Sequence, residues 1–191
     1  MIFKAILFAA EAHKGQYRKG TNIPYMSHLM NVMKTLCQNN CNEHTIVAGI
    51  LHDAVEDTAT TLEDIENEFG KRVTEIVAVE TQKMKLNKYS IASKETWEQR
   101  KSEKLEVIKN LKDVDCLWVY AADKLDNISA IYEDYQAIGD ELWNRFNAPK
   151  EKQEWYYREI CKIMKQKAIE FPQLCKIVSK IEDLVLKTFG K

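Results

Sequence analysis

The chain has 191 residues, of which 45% are hydrophobic and 30% charged, with a formal net charge of -1. That length builds a core without staples, and the composition excludes disordered and fibrous classes. A net charge near zero gives no global pull toward nucleic acid or an anionic membrane, so an anionic ligand must be held by a local basic cluster.

The first twelve residues, MIFKAILFAAEA, are apolar but interrupted by Lys4 and Glu11. They lack a cleavage-site pattern and fall short of the ~18 apolar residues of a membrane span. The expectation is an amphipathic helix over 2–13 in a cytoplasmic chain. A polar, basic loop, HKGQYRKGTNIP (13–24), follows, and then a helix over 25–39. Five cysteines with no CxxC read as free thiols, Cys37 and Cys41 included. Further helices are expected near 43–56, 61–69 and 71–81; Thr61 with Asp64 approximates a capping box, and Gly70 suits the position after a helix end. The segment QKMKLNKYSIASK (82–94) reads as a second basic loop. Beyond it, helical spacing recurs over 95–110, 114–132, 139–147, 150–170 and 173–188, the last with Leu174, Ile177, Val178, Ile181, Leu184 and Val185 on one stripe. No period-two alternation, internal repeat or dividing linker interrupts this series. The expectation is a single all-α domain over 1–191, a bundle of about eight to ten helices.

The stretch AGILHDAVEDTATT (48–61) concentrates charge in a helix otherwise fit for burial. At ~100° per residue, Ile46, Val47, Ile50, Leu51, Ala54 and Val55 fall on one side, and His52, Asp53 and Glu56 on the other, with Asp57 at the border. No cation occurs between Thr45 and Thr61 to balance the carboxylates, so a metal ion is the economical counter-charge. His52 and Asp53 cannot complete a site alone, because divalent metals generally take four or more ligands. His28 opens a helix in IPYMSHLMNV. Asp123 and Asn127, four apart in VYAADKLDNISAI, share a face opposite Leu117, Trp118, Ala121, Leu125 and Ile128. His28, His52, Asp53 and Asp123 make a mixed nitrogen and oxygen set that suits Mn, Fe or Zn without choosing among them. His13 and His44 read as structural: His13 anchors the basic loop, and His44 lies in the first turn of its helix.

The order His28, His52-Asp53, Asp123 resembles the signature of the HD-domain phosphohydrolase superfamily. The words AHKGQYRKGTNIPYMSH, GILHDAVEDT, WEQRK and AADKLDN, over roughly residues 3 to 130, are similar to its RelA/SpoT-type (p)ppGpp hydrolase branch and stand-alone small alarmone hydrolases. GDELWNRFNA and EWYYREI are also similar to small bacterial members of this branch. The resemblance implies that His28, His52, Asp53 and Asp123 ligate a metal, usually Mn²⁺. It implies that Glu56 and Asp57 form the catalytic carboxylate pair and that Asn127 is an active-site asparagine. Arg18 and Lys19 match the basic pair near the nucleotide base, Lys124 the basic residue after the last metal aspartate, and Tyr25 the pocket-shaping residue of a PY pair. The chain departs from the long bifunctional enzymes in two places: the loop from Arg18 to His28 is one residue longer, and Asp126 stands where they usually have His. At 191 residues a hydrolase without a synthetase domain is expected.

The implied reaction is attack of a metal-activated water, deprotonated by Glu56 with Asp57, on the phosphorus at the ribose 3′ oxygen. Lys124 and some of Lys83, Lys85, Arg100 and Lys101 are candidates to balance phosphate charge; WEQRK reads equally well as a solvated helix face. Three rivals stand beside this reading: another HD-type nucleotide phosphatase (including one acting on the 2′-phosphate of NADPH), a silent nucleotide sensor, and a structural helical module. The partner expected is a small nucleotide rather than nucleic acid or membrane. The apolar faces of the C-terminal helices fit a dimer and a core equally well.

Overall fold

The structure is a computed structural model, and it describes residues 1–81 and 96–190. The expected basic loop over 82–94, with Lys83 and Lys85, lies outside the described residues. Those described are all-α, with no strand among them and only an isolated antiparallel bridge between Tyr17 and Pro24. The chain divides into two compact units, Met1–Lys83 with Asp113–Asp123, and Met84–Lys112 with Lys124–Lys191.

The first unit holds α1 (Ile2–Ala12), α2 (Met26–Gln38), α3 (Glu43–Leu51), α4 (Ala54–Asp57), α5 (Leu62–Phe69), α6 (Lys71–Glu80) and the start of α8 (Val114–Ile138). Helix α3 is its centre: Thr45 to Leu51 are all buried, and α1, α2 and α6 pack around them. Asn42 caps α3 by accepting from the Thr45 N–H at 3.0 Å. The expected capping box is present, with Thr61 accepting from the Asp64 N–H and Asp64 from the Thr61 N–H. Gly70 follows with φ +83°, a conformation open to glycine, and separates α5 from α6.

Gly49 of α3 faces α2 with no room for a side chain. A Cβ there would lie 2.3 Å from Leu36 Cδ1 and 3.3 Å from Val32 Cγ1, and both neighbours are fully buried. Overpacking such a site costs about 1–3 kcal/mol, against a gain of about 1 kcal/mol from helix propensity. Gly49→Ala is therefore expected to lower stability by up to about 2 kcal/mol, read as a reduced urea midpoint at unchanged slope.

Helix α8 is seated by charge. Arg72 of α6 holds Asp113 with two bonds, of 2.6 and 2.9 Å, and Asp115 with one of 2.6 Å. Asp113 in turn accepts from the Asp115 N–H, which caps the helix start. From that anchor α8 rises about 1.5 Å per residue, so Asp123 lies about 13 Å along it.

The second unit contains α7 (Trp97–Asn110), the rest of α8, α9 (Lys150–Glu170) and α10 (Cys175–Phe189), with α9 packed on α7 and α10. Helix α8 runs to Ile138 rather than ending near 132, and it stops at Gly139, where φ is +62°. The expected helix over 139–147 is a 3₁₀ segment, Gly139–Arg145, in which the Trp143 indole donates to Asp140. In WEQRK, Trp97 is buried, and Lys101 places its ammonium 4.7 Å from the centre of the Tyr156 ring. The described cysteines are all free thiols, and no described helix is long and apolar enough to cross a membrane.

Candidate metal centre

Four of the expected residues converge in the first unit. His28 comes from the first turn of α2, His52 directly follows α3, Asp53 precedes α4, and Asp123 comes from α8. The helix expected over 43–56 is not continuous: α3 ends at Leu51 and a short α4 begins at Ala54. His52 is as buried as the apolar stripe, with 1% exposure. Its Nδ1 lies 2.8 Å from the Gly49 carbonyl, which only accepts, so Nδ1 carries the proton and Nε2 presents a lone pair. That is the tautomer a metal-ligating imidazole needs, with the second nitrogen oriented by the backbone.

The facing atoms are close. His52 Nε2 lies 3.3 Å from His28 Nε2, 3.1 Å from Asp53 Oδ2 and 3.7 Å from Asp123 Oδ1. His28 Nε2 lies 3.5 Å from Asp53 Oδ2 and 3.4 Å from Asp123 Oδ1. Around a four-coordinate ion with bonds of about 2.1 Å, ligand atoms lie about 3.4 Å apart. The spacing fits an ion, and His28, His52 and Asp53 form the tight part of the group that can hold one. Asp123 is reached across the two imidazoles.

Electrostatics point the same way. Burial pushes the His52 imidazolium down, but the carboxylates of Asp53 and Asp123 outweigh it and hold the group well above its ordinary value. Burial works against the Asp53 carboxylate too, yet His52 and His28 keep it well below the usual range. The cluster thus favours a positive charge at its centre, and protons and a metal compete for the same lone pairs. Metal affinity is expected to fall as pH drops through the raised His52 value, beginning above the ordinary 6.5, and to level off on the alkaline side. Calorimetric titration with a divalent metal between about pH 6 and 9 checks the slope.

Tyr25 supports the metal side. Its hydroxyl donates to Asp53 Oδ2 at 2.5 Å, and burial and then the Asp53 charge push the phenol well above its ordinary value, so it stays a donor. The carboxylate pair follows directly: Glu56 and Asp57 lie half-buried on α4, and the Asp57 N–H donates to the Asp53 carbonyl at 2.8 Å. Arg18 and Lys19 sit in the basic loop, where the Arg18 N–H bonds the Ile23 carbonyl at 2.8 Å. Lys124 and Asn127 belong to the second unit; both are half-buried, one residue and one helical turn beyond Asp123 along α8.

Two residues exceed their sequence reading. His13 is 2% exposed and stacks on Tyr25 with ring centres 5.1 Å apart and planes at 19°. Gln16, which carried no role, bonds His13 Nδ1 at 2.8 Å and the Asp57 carbonyl at 3.0 Å. The only sequence signal was their shared place in AHKGQ, ahead of Tyr25.

A model of the HD domain matches residues 5–149. The guanosine-3′,5′-bis(diphosphate) 3′-pyrophosphohydrolase of Aquifex aeolicus is 34% identical over 131 residues, which is 69% of this chain and 18% of that protein. The chain spans less than a fifth of the length of the curated relatives that it matches. Among solved structures, lmo0812 of Listeria monocytogenes EGD-e superimposes with a TM-score of 0.72 at 29% identity, over 86% of this chain and 99% of that one. A metazoan ortholog of SpoT that hydrolyses ppGpp shares the fold, with a TM-score of 0.74 at 23% identity, over 100% of this chain and 96% of that one.

Proposed function

The chain belongs to the HD domain family, and from that premise we propose that it is a Mn²⁺-dependent cytoplasmic hydrolase that removes pyrophosphate from the 3′ position of (p)ppGpp, leaving GDP or GTP. The observation that carries this reading is the convergence of His28 Nε2, His52 Nε2, Asp53 Oδ2 and Asp123 Oδ1 at ligand spacing. The reaction itself is drawn from the Aquifex aeolicus relative. Two imidazoles and two carboxylates suit Mn²⁺ as they suit Fe and Zn, and the choice of Mn²⁺ is drawn from the family resemblance.

When bound, the ion lowers the pKa of a water and neutralises charge on the phosphoryl oxygens. The chain's own residues do the rest. Glu56, with Asp57 beside it, takes the proton of the attacking water. The new bond forms between that water oxygen and the phosphorus on the ribose 3′ oxygen, the phosphorus–3′ oxygen bond breaks, and the departing 3′ oxygen takes a proton from solvent to become the hydroxyl of GDP or GTP. Lys124 supplies positive charge to the pyrophosphate, and Asn127 orients it. Arg18 and Lys19 bind the base end of the nucleotide, while Tyr25 holds Asp53 and shapes the pocket.

The test is a panel of ppGpp, GTP, dNTPs and NADPH incubated with Mn²⁺-loaded protein and scored for pyrophosphate and phosphate. Pyrophosphate from ppGpp alone is the expected result. Phosphate from NADPH or release from dNTPs would move the chain to another HD-type phosphatase. Binding of ppGpp without turnover would make it a sensor.

A further inference from the structure

His13 and Gln16 form a unit that no metal or substrate role explains. The Gln16 amide is oriented without ambiguity: its nitrogen donates to the Asp57 main-chain carbonyl, which can only accept, so its oxygen faces His13 Nδ1. That oxygen also only accepts, and therefore the proton of His13 sits on Nδ1. His13 Nε2 is left as a lone pair, buried and with no partner among the described residues. A residue chosen for packing alone would not carry that orphan. The turn that joins the pair closes through Gly15 at φ +76°, and the Gln16 carbonyl accepts the Tyr25 N–H at 2.9 Å.

We infer that His13 and Gln16 are positioning residues for the reaction proposed above. Gln16 clamps the C-terminal end of α4, and with it Glu56 and Asp57, at a fixed offset from Asp53, and His13 locks the amide of Gln16 in the orientation that clamp requires. The second face of His13 braces the same offset from the metal side, because it stacks on the ring whose hydroxyl holds Asp53. One imidazole thus ties the metal carboxylate to the carboxylate pair. This role rests on the hydrolase reading for its kinetic consequence, though not for its hydrogen-bond geometry.

His13→Phe separates positioning from packing, since it keeps a ring against Tyr25, removes the orphan nitrogen and deletes the bond to Gln16. The expected result is a melting temperature no lower than wild type, Mn²⁺ affinity and KM within about threefold, and kcat lower by about 10–100-fold, the scale of a misplaced catalytic group. His13→Asn, whose amide nitrogen falls near the place of Nδ1, should restore kcat to within about fivefold. Kinetics are measured on whichever nucleotide of the panel the wild type turns over. Unchanged kcat in His13→Phe would overturn the inference. So would a parallel loss of melting temperature, metal affinity and kcat, which marks a merely structural residue, or an Asn variant no better than Phe. Long-range ¹H–¹⁵N NMR of wild type should show His13 as the Nδ1–H tautomer, and the Gln16 side-chain amide should lose its protection from exchange in His13→Phe. The opposite tautomer, or an unaltered amide, refutes the clamp whatever the substrate. A wild type that turns over no nucleotide defeats the hydrolase reading instead and leaves the clamp to be decided by these spectra.

Discussion

Asp53→Ala is expected to abolish retention of a divalent metal and, with it, the proposed hydrolysis. The substitution removes the oxygen 3.1 Å from His52 Nε2 and 3.5 Å from His28 Nε2, and it takes away the acceptor of the Tyr25 hydroxyl. It also removes the largest influence raising His52, so two buried imidazoles remain with one carboxylate between them. Outer partners of a metal site cost 10–100-fold in affinity when lost, and a direct ligand exceeds that range. The expected loss is more than about 100-fold, read by elemental analysis of the purified protein and by calorimetry. A protein that still copurifies with stoichiometric metal after this change would remove Asp53 from the centre.

Glu56→Gln is expected to give the complementary result, full metal content with kcat lower by about 100-fold or more, the scale of general-base loss. Glutamine conserves shape and hydrogen-bonding capacity at a half-buried position on α4 and deletes only the basic oxygen. Single-turnover assays on the metal-replete variant would isolate the chemical step. Turnover at the wild-type rate would transfer the proton-accepting role away from Glu56. Together the two variants divide HDAVED into a metal half and a proton half.

Much of this was legible in the chain because apolar stripes are visible at helical spacing. Leu117, Ala121 and Ile128 mark the face of α8 opposite Asp123. What the spacing could not reveal was the break after Leu51. No glycine or proline marks it; the His52 imidazole turns back onto the Gly49 carbonyl, an acceptor that belongs to the helix ladder, and buries itself in doing so. The last six residues of α8 escape the spacing because Glu133, Asp134 and Gln136 dilute the stripe, although the true stop is the positive φ of Gly139. His13 was read as a loop anchor for a similar reason. Its burial depends on Tyr25, twelve residues away, and no local pattern encodes that stack.

The missing side chain at Gly49 has a consequence for the metal centre. α2 carries one imidazole and the residue after α3 the other; their Nε2 atoms are 3.3 Å apart, and the same two helices meet where Gly49 presents no Cβ. The same residue supplies the carbonyl that aims His52. The opening between the two imidazoles is thus tied to helix spacing: a side chain at position 49 that pushed α2 from α3 would spread the two Nε2 atoms and weaken their shared hold on an ion. The grip on the metal is thus written partly in a residue that never touches it.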